Sequence, residues 1–286
     1  MSTISVNEWF DQFIEIQKQR DITFRTVQEK IYIANFIRKK IGNRPIDIIR
    51  TLDLFIIIDE VWQQQKQNKA VKIYLFMKQS FQTAWARGII ENNPAVRLER
   101  PICKVKRERL ELDEFLKILK IARLCAPEYL YIGMLTALVT GRRPCEIVNI
   151  SMDDIENDYL NIRTAKKGVI VSMPLDLKLD AIGTSIRDLF VMTRGKRYLI
   201  ESGRRKAKVS SNSLTTWFSD MRKIAEVVAN DGRLPPSFYE IRSLSALLYN
   251  EQGININKLL GHKSVGSTKI YTERRGKGVI KYIVGN

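Results

Sequence analysis

The sequence TGRRPCE at residues 140–146 places two adjacent arginines, Arg142 and Arg143, at a break between apolar segments. Gly141 and Pro144 flank the pair, and such flanking is typical of one helix ending and another beginning. A guanidinium held at a turn of this kind can grip a phosphate through two parallel hydrogen bonds. Taken alone, however, the stretch fits two solvated surface arginines at least as well.

Three further chemically active side chains follow toward the C-terminus. Arg242 lies in the apolar run 238–248, so we expect it to be partly buried and to need an anionic partner. His262 is the single histidine of the sequence, and Tyr271 lies nine residues beyond it. A lone histidine is more often a structural hydrogen-bonding residue and a lone tyrosine more often part of a core. Neither residue indicates catalysis by itself.

Two short β-like runs, residues 159–163 and 169–173, surround a charged segment that contains Lys166 and Lys167. Their alternating apolar pattern and Gly168 predict a hairpin with a charged loop. Apolar patterns elsewhere in residues 110–286 predict helices near 128–140, 176–192, 213–229, 241–252 and 255–260. Residues 110–286 are therefore expected to form a mixed α+β, mainly helical domain with a small β-hairpin sheet.

Residues 1–97 show only helical periodicity. Four amphipathic patterns fill about the first 90 residues, and Asn92-Asn93-Pro94 closes the last of them. This pattern predicts a small all-α domain. Residues 98–109 have little periodicity, one proline and many basic side chains, which favours a linker that touches a DNA backbone. An exposed basic helix is the alternative for that segment.

The charge balance favours a polyanionic partner. Forty-eight Lys and Arg residues stand against 31 Asp and Glu residues, which gives a formal net charge of +17. Such an excess favours nucleic acid, because lysines and arginines that neutralise phosphates release condensed counterions. Ribosomal and membrane-surface proteins share this composition. The excess is spread over both expected domains and the linker, so each part could face the same duplex.

The sequence offers no metal site and no cofactor motif. Its three cysteines are scattered, and one histidine cannot build a zinc site. Unpaired cysteines of this kind fit reduced thiols in the cytoplasm. No apolar run is long enough to span a membrane, and the N-terminus is not a signal peptide. We therefore expect a soluble, cytoplasmic protein that needs neither metal nor cofactor.

The combination of these motifs, in this order and spacing, resembles the tyrosine recombinase (phage integrase) family. Arg143 matches the position of the first catalytic arginine, Lys166 the hairpin lysine, and Arg242 the second arginine. His262 in Leu-Leu-Gly-His and Tyr271 match the remaining histidine and the nucleophile, with the family's gap of nine residues. The stretches 241–249 and 259–264 are most similar to the lambda integrase subgroup, and residues 5–97 resemble its core-binding domain.

The resemblance implies a mechanism and a set of partners. Tyr271 would attack a scissile phosphate, Arg143 and Arg242 would clamp its oxygens, His262 would donate another hydrogen bond, and Lys166 would protonate the leaving oxygen. No metal would be required. The substrate would be double-stranded DNA with specific sites, acted on by a homotetramer, with accessory DNA-bending proteins as further candidate partners. The protein would work in the bacterial host cytoplasm, on the nucleoid.

This sequence departs from the subgroup in two ways. Tyr239 stands where the family usually has a histidine, three residues before Arg242, so a base that titrates near neutral pH is absent. We assign Tyr239 a role in orienting the proton transfer from Tyr271 and expect reduced activity. The chain also starts too late to contain an arm-binding domain, so it is either a naturally short recombinase or a truncated one. The strand-like segment 279–284 is expected to pack on a neighbouring protomer or within its own chain.

Two alternatives stay open from the sequence. A recombinase-derived DNA-binding protein that no longer cuts DNA would explain Tyr239. A type IB topoisomerase or telomere-resolving enzyme would share the chemistry, although the lambda-like segments and modest length argue against that class.

Overall fold

The computed structural model describes residues 4–103, 107–165, 168–203, 206–229 and 232–261. The chain divides into two compact units, residues 1–105 and 106–286. The division falls inside the segment 98–109 that the sequence marks as a linker. The domain limits at residues 97 and 110 stay predictions.

The first unit is helical, as the periodicity of residues 5–90 predicts. Ser5 caps the first helix reciprocally, since the Glu8 amide donates to Ser5 Oγ (3.2 Å) and the Ser5 amide donates to Glu8 Oε2 (2.7 Å). A short 3₁₀ turn, Ile46–Ile48, precedes the third helix. The helices are α1 (Val6–Lys18), α2 (Phe24–Ile41), α3 (Thr51–Gln63) and α4 (Gln67–Ala86).

Aromatic side chains from α1 and α4 fill the core of this unit. Phe76 meets Phe10 edge to face at 5.2 Å and Phe13 at 5.4 Å between ring centroids. Trp9 is fully buried, and its Nε1 donates to Ser80 Oγ at 2.9 Å. The indole is therefore buried without losing its hydrogen bond.

The second unit combines helices with three small antiparallel sheets among its described residues. One sheet has the order β1-β2-β3, and two hairpins pair β4 with β5 and β6 with β7. The helices are α5 (Leu112–Cys125), α6 (Glu128–Thr140), α7 (Pro144–Ile147), α8 (Ile186–Met192), α9 (Ser211–Ile224), α10 (Glu240–Glu251) and α11 (Ile256–Leu260). The strands are β1 (Ile155–Glu156), β2 (Tyr159–Arg163), β3 (Ile170–Pro174), β4 (Lys178–Leu179), β5 (Thr184–Ser185), β6 (Glu201–Ser202) and β7 (Ala207–Lys208).

Helix α6 is the centre of the second unit. Its residues are apolar on all sides, and it packs against α5, α8, α9 and α10, as expected of a helix without a polar face. Tyr249 Oη of α10 donates to the Val139 carbonyl of α6 at 2.7 Å in the buried interior. This packing holds the C-terminal end of α6, and the turn after it, in a fixed place.

The predicted hairpin is confirmed. Strands β2 and β3 pair in register, with Leu160 opposite Met173 and Ile162 opposite Val171. These four side chains are buried on one face, while their neighbours along each strand are more exposed. The period of two therefore matches a sheet that is covered on one side.

Two helix predictions in this unit are wrong in their extents. The helix predicted for 176–192 begins only at Ile186. The preceding residues form the β4–β5 hairpin, and Gly183 at its turn takes a left-handed conformation (φ +62°) that interrupts a helix. The helix predicted for 213–229 ends at Ile224, because Glu226 is left-handed (φ +56°).

The end of the predicted linker is built into the second unit. The Glu108 amide donates to the Leu234 carbonyl at 2.9 Å, and Arg107 donates to the Pro235 carbonyl at 2.6 Å. Arg109 is buried and forms an ion pair with Glu240 at 2.8 Å. Arg109 therefore serves the fold of this unit instead of forming an exposed contact to a DNA backbone.

Candidate active site

The turn between α6 and α7 has a conformation that its sequence requires. Gly141 ends α6 in the left-handed region (φ +62°), and a Cβ there would lie 3.1 Å from Ser245 Oγ. Glycine is favoured at such a helix end because it carries no Cβ. Pro144 then starts α7 with its fixed φ. Arg142 and Arg143 are thus held between two helix ends.

Arg143 is partly exposed at the start of α7. Its side chain is 24% exposed, and Nη1 lies 2.9 Å from Glu146 Oε1. The Arg143 amide also donates to Glu146 Oε2 at 3.0 Å. One carboxylate therefore fixes both the backbone and the side chain of Arg143.

Glu146 is a buried carboxylate that also reaches the β2–β3 hairpin. Its side chain is 0% exposed, and Oε1 accepts from the Ala165 amide at 3.1 Å. Burial alone would raise the pKa of Glu146, but the amides of Arg143 and Ala165 and the charge of Arg143 lower it below its usual value. Glu146 is thus an anion that joins the arginine turn to the hairpin loop.

Lys166 directly follows Ala165 and lies outside the described residues. The described residues on either side of it are joined by hydrogen bonds, since the Thr164 amide donates to the Val169 carbonyl at 2.8 Å and the Gly168 amide to the Thr164 carbonyl at 3.0 Å. The chain therefore enters the predicted lysine position from a residue bonded to Glu146.

Arg242 is buried, as its apolar surroundings in the sequence predict. It is 3% exposed on α10, and it donates from Nη1 to the Gly141 carbonyl (2.6 Å) and from Nη2 to the Leu260 carbonyl (3.1 Å). Both acceptors lie at helix C-termini, where carbonyls lack partners within the helix. Arg242 therefore joins the end of α6 to the end of α11.

Arg142 makes a parallel connection from the turn itself. It is 1% exposed and donates from Nε to the Thr140 carbonyl (3.2 Å) and from Nη2 to the Leu259 carbonyl of α11. Burial, followed by the positive charges of Arg242 and Arg143, lowers the pKa of Arg142 to about 10, and the charge of Glu146 opposes the shift. Arg142 therefore lies within electrostatic range of both of the other guanidiniums.

The remaining predicted site residues stand as follows. Tyr239 lies at the start of α10, three residues before Arg242, and is 52% exposed. His262 and Tyr271 lie outside the described residues. The chain is described up to Gly261, which ends α11 in a left-handed conformation (φ +66°). The structure thus brings together Arg143, Arg242 and the segment that leads into His262.

Two residues of this cluster, Arg142 and Glu146, were not predicted as site residues from the sequence. Arg142 could not be distinguished from an exposed arginine, because its acceptor on Leu259 lies 117 positions away. Glu146 does have a local signal, since an acidic residue three positions after a helix cap is common at helix starts. Within the part of the chain that the structure describes, no group of three potential metal-ligating side chains occurs. None of its helices is long and apolar enough to cross a membrane.

Comparison with known proteins gives a consistent result over nearly the whole chain. The pattern of the Phage integrase family matches residues 108–277, and that of the Phage integrase central domain matches residues 6–101. The prophage integrase IntE of Escherichia coli (strain K12) is 34% identical over 290 residues, which cover 96% of this chain and 77% of the relative.

Solved structures of lambda integrase are also similar to this chain. A lambda integrase dimer bound to a COC′ core site has a TM-score of 0.91 at 30% identity, covering 99% of this chain and 100% of that one. A lambda integrase tetramer bound to a Holliday junction has a TM-score of 0.91 at 28% identity, covering 99% and 82%. The predicted two-part fold, helical with a small sheet, is confirmed by this likeness. The chain belongs to the phage integrase family of tyrosine recombinases.

Proposed function

We propose that this site-specific recombinase cuts and rejoins duplex DNA through a covalent bond between Tyr271 and a 3′-phosphate. The observation that carries the proposal is the guanidinium cluster of Arg142, Arg143 and Arg242 around one turn, fixed by helix-end carbonyls and by Glu146. Such a preorganised positive site suits a phosphate that gains negative charge in its transition state.

Each step of the reaction forms one phosphate ester bond and breaks another. The Tyr271 oxygen attacks phosphorus, a tyrosine–phosphate bond forms, and the bond from phosphorus to the 5′-oxygen breaks. The 5′-oxygen takes up a proton and leaves as a hydroxyl. Attack by the 5′-hydroxyl of another strand on the phosphotyrosine then restores a DNA phosphodiester and releases Tyr271. No nucleotide cofactor is needed, because the phosphodiester energy is stored in the covalent intermediate.

The roles of the side chains are inferred from the positions of the tyrosine recombinase family that they match. Arg143 and Arg242 hold the non-bridging oxygens. Lys166, on the hairpin loop that Glu146 anchors through Ala165, supplies the proton to the leaving 5′-oxygen. His262 adds a hydrogen-bond donor, and Tyr239 orients the proton transfer from Tyr271.

The partners of the reaction are inferred from charge and from relatives. A net charge of +17 suits extended contact with the phosphates of a duplex. Lambda integrase forms a tetramer on a Holliday junction, and we infer a homotetramer on paired recombination sites for this chain. Accessory DNA-bending proteins would assist that assembly. The reaction would occur in the cytoplasm of a bacterial host, at the nucleoid.

The decisive experiment is covalent capture on DNA. Purified protein is incubated with fragmented DNA from the host and from the mobile element, quenched with detergent, and protein-linked fragments are sequenced. Tyr271→Phe is the active-site variant. Tyr32→Phe is the matched control, because it removes the hydroxyl of an exposed tyrosine in the first unit.

Linked fragments from the wild type and Tyr32→Phe, absent with Tyr271→Phe and sharing one short inverted repeat, are the expected result. Tight binding without any covalent product would instead indicate a recombinase-derived protein that no longer cuts DNA. Covalent products without sequence preference, together with relaxation of any supercoiled plasmid, would indicate a topoisomerase.

A further inference from the structure

We propose that Arg142 is a positioning residue for DNA cleavage, which acts by fixing the end of α11 and thereby the point from which the chain continues into His262. The inference rests on the proposed function, because it assigns Arg142 a part in the same reaction. It differs from the roles of Arg143 and Arg242, since Arg142 is placed behind the phosphate-binding groups and not in contact with DNA.

The contacts of Arg142 span two distant segments. Nε donates to the Thr140 carbonyl at the end of α6, and Nη2 donates to the Leu259 carbonyl near the end of α11. The Arg142 amide also donates to Thr140 Oγ1 at 3.3 Å. A cation at a helix C-terminus is favourable both for the orphan carbonyls and for the helix dipole. Arg142 thus holds α11 against the turn that carries Arg143.

Arg142 and Arg242 together hold two consecutive carbonyls. Arg142 binds the Leu259 oxygen, while Arg242 binds the Leu260 oxygen at 3.1 Å. Helix α11 also packs against α10 and β3, and the two carbonyl bonds from different elements add to that packing in fixing its direction. His262 follows Leu260 by two residues, so a displaced α11 would change the point from which the chain continues toward His262.

The third guanidinium nitrogen faces the same junction. Nη1 of Arg142 is buried and has no hydrogen-bond partner among the described residues. It would lie 4.0 Å from a Cβ placed on Gly261, the residue that joins α11 to His262. The guanidinium therefore packs directly beneath this junction.

Stability alone does not account for an arginine at this place. A buried guanidinium among like charges is costly, and burial together with Arg242 and Arg143 lowers its pKa. A cost tolerated beside a catalytic turn indicates a benefit to the reaction.

The test is a double-mutant cycle between Arg142→Gln and His262→Ala, read as the rate of covalent adduct formation at saturating DNA. Arg142→Gln alone should slow adduct formation by about 10- to 100-fold, as a small misplacement of a reacting group does. DNA affinity should change less than the rate. In the His262→Ala background the same substitution should slow adduct formation by less than about threefold, because the effects of residues that act as a unit are not additive.

Further variants separate positioning from folding. Arg142→Lys keeps the charge but lacks the forked donor, so it should recover only part of the rate. Arg222→Met is the matched control: Arg222 is another buried arginine of this unit (8% exposed) whose pKa burial also lowers. It should leave the rate unchanged. If circular dichroism shows that Arg142→Gln does not fold, Arg142→Lys takes its place in the double-mutant cycle.

The outcomes distinguish failure of this inference from failure of the proposed function. An undiminished rate with Arg142→Gln, or an equal loss in both backgrounds, would overturn the inference while leaving the proposed function intact. A wild-type protein that forms no adduct would instead overturn the proposed function itself.

Discussion

The buried ion pair between Arg109 and Glu240 gives a prediction about the stability of the catalytic unit. Arg109 Nη1 lies 2.8 Å from Glu240 Oε2 and 2.6 Å from Ser243 Oγ, and the two charged side chains are 8% and 9% exposed. Glu240 is the first residue of α10, two positions before Arg242. The pair therefore connects the segment before α5 to the helix that carries Arg242, the arginine proposed to bind phosphate.

The size of the effect follows from burial. With so little solvent contact, Arg109→Met would leave the Glu240 carboxylate in a medium that cannot solvate it, and removal of one partner of a buried pair costs about 3–5 kcal/mol. The double variant Arg109→Met/Glu240→Met leaves no charge behind, so it should recover most of this loss. Solvent screening, which weakens exposed pairs, has little influence here.

Hydrogen exchange followed by mass spectrometry on peptides of α10 measures this loss locally. Because 1.4 kcal/mol corresponds to a tenfold change, protection of α10 amides should fall by about a hundred- to several-thousand-fold in Arg109→Met. Protection in the double variant should lie near that of the wild type. Equal protection in the wild type and Arg109→Met, or equal losses in the single and double variants, would refute the reasoning.

Three other substitutions test the site and its supports. Glu146→Gln should slow adduct formation. The folded pKa of Glu146 lies below its usual 4.5. The unfolding free energy of the wild type should therefore exceed that of Glu146→Gln by the largest amount above pH 4.5, and this difference should disappear as the pH falls through the folded pKa. Gly261→Ala should cost about 1–2 kcal/mol through its left-handed backbone. By thermal melting it should cost more in total than Gly183→Ala, because a Cβ at Gly261 would lie 2.8 Å from Val171 whereas Gly183, which is also left-handed (φ +62°), has open space. Tyr249→Phe should lower the urea-unfolding free energy by about 1 kcal/mol, the usual worth of one buried hydrogen bond.

Local patterns in the sequence predicted those parts of the fold that local forces decide. The β2–β3 hairpin followed from alternating apolar residues around Gly168, and the helical first unit followed from apolar stripes and the closing Asn92-Asn93-Pro94 stretch. The helix predicted for 176–192 failed because its apolar residues satisfy a helical period, while Gly183 and the Ser185 cap set the true start at Ile186. Periodicity predicted which residues of this segment are buried, whereas its turn residues determine where the helix begins.

The positions of the site residues depended on contacts that no local pattern contains. Arg142 and Arg143 are neighbours with the same side chain, yet one is buried behind the turn and the other is partly exposed on it. What separates them is the end of α11, more than a hundred residues further along the chain. Resemblance to the family singled out Arg143, while the burial of Arg142 could be learned only from the packed structure.

The exposure of the arginines in this unit, together with the acceptors they use, separates structural from chemical roles. Arg109 is itself buried and pairs with a buried carboxylate, so it holds α10 and is closed to an incoming anion. Arg143 also pairs with a buried carboxylate, Glu146, but its side chain stays 24% exposed. Arg142 and Arg242 donate to backbone carbonyls at the ends of α6 and α11, and a neutral acceptor orients a guanidinium without neutralising it. Their positive potential is therefore kept for an incoming anion, at the cost of burial and like-charge repulsion, which together lower the pKa of Arg142. A phosphate bound at the turn would relieve that repulsion. The free energy released would then strengthen the binding of the scissile phosphate.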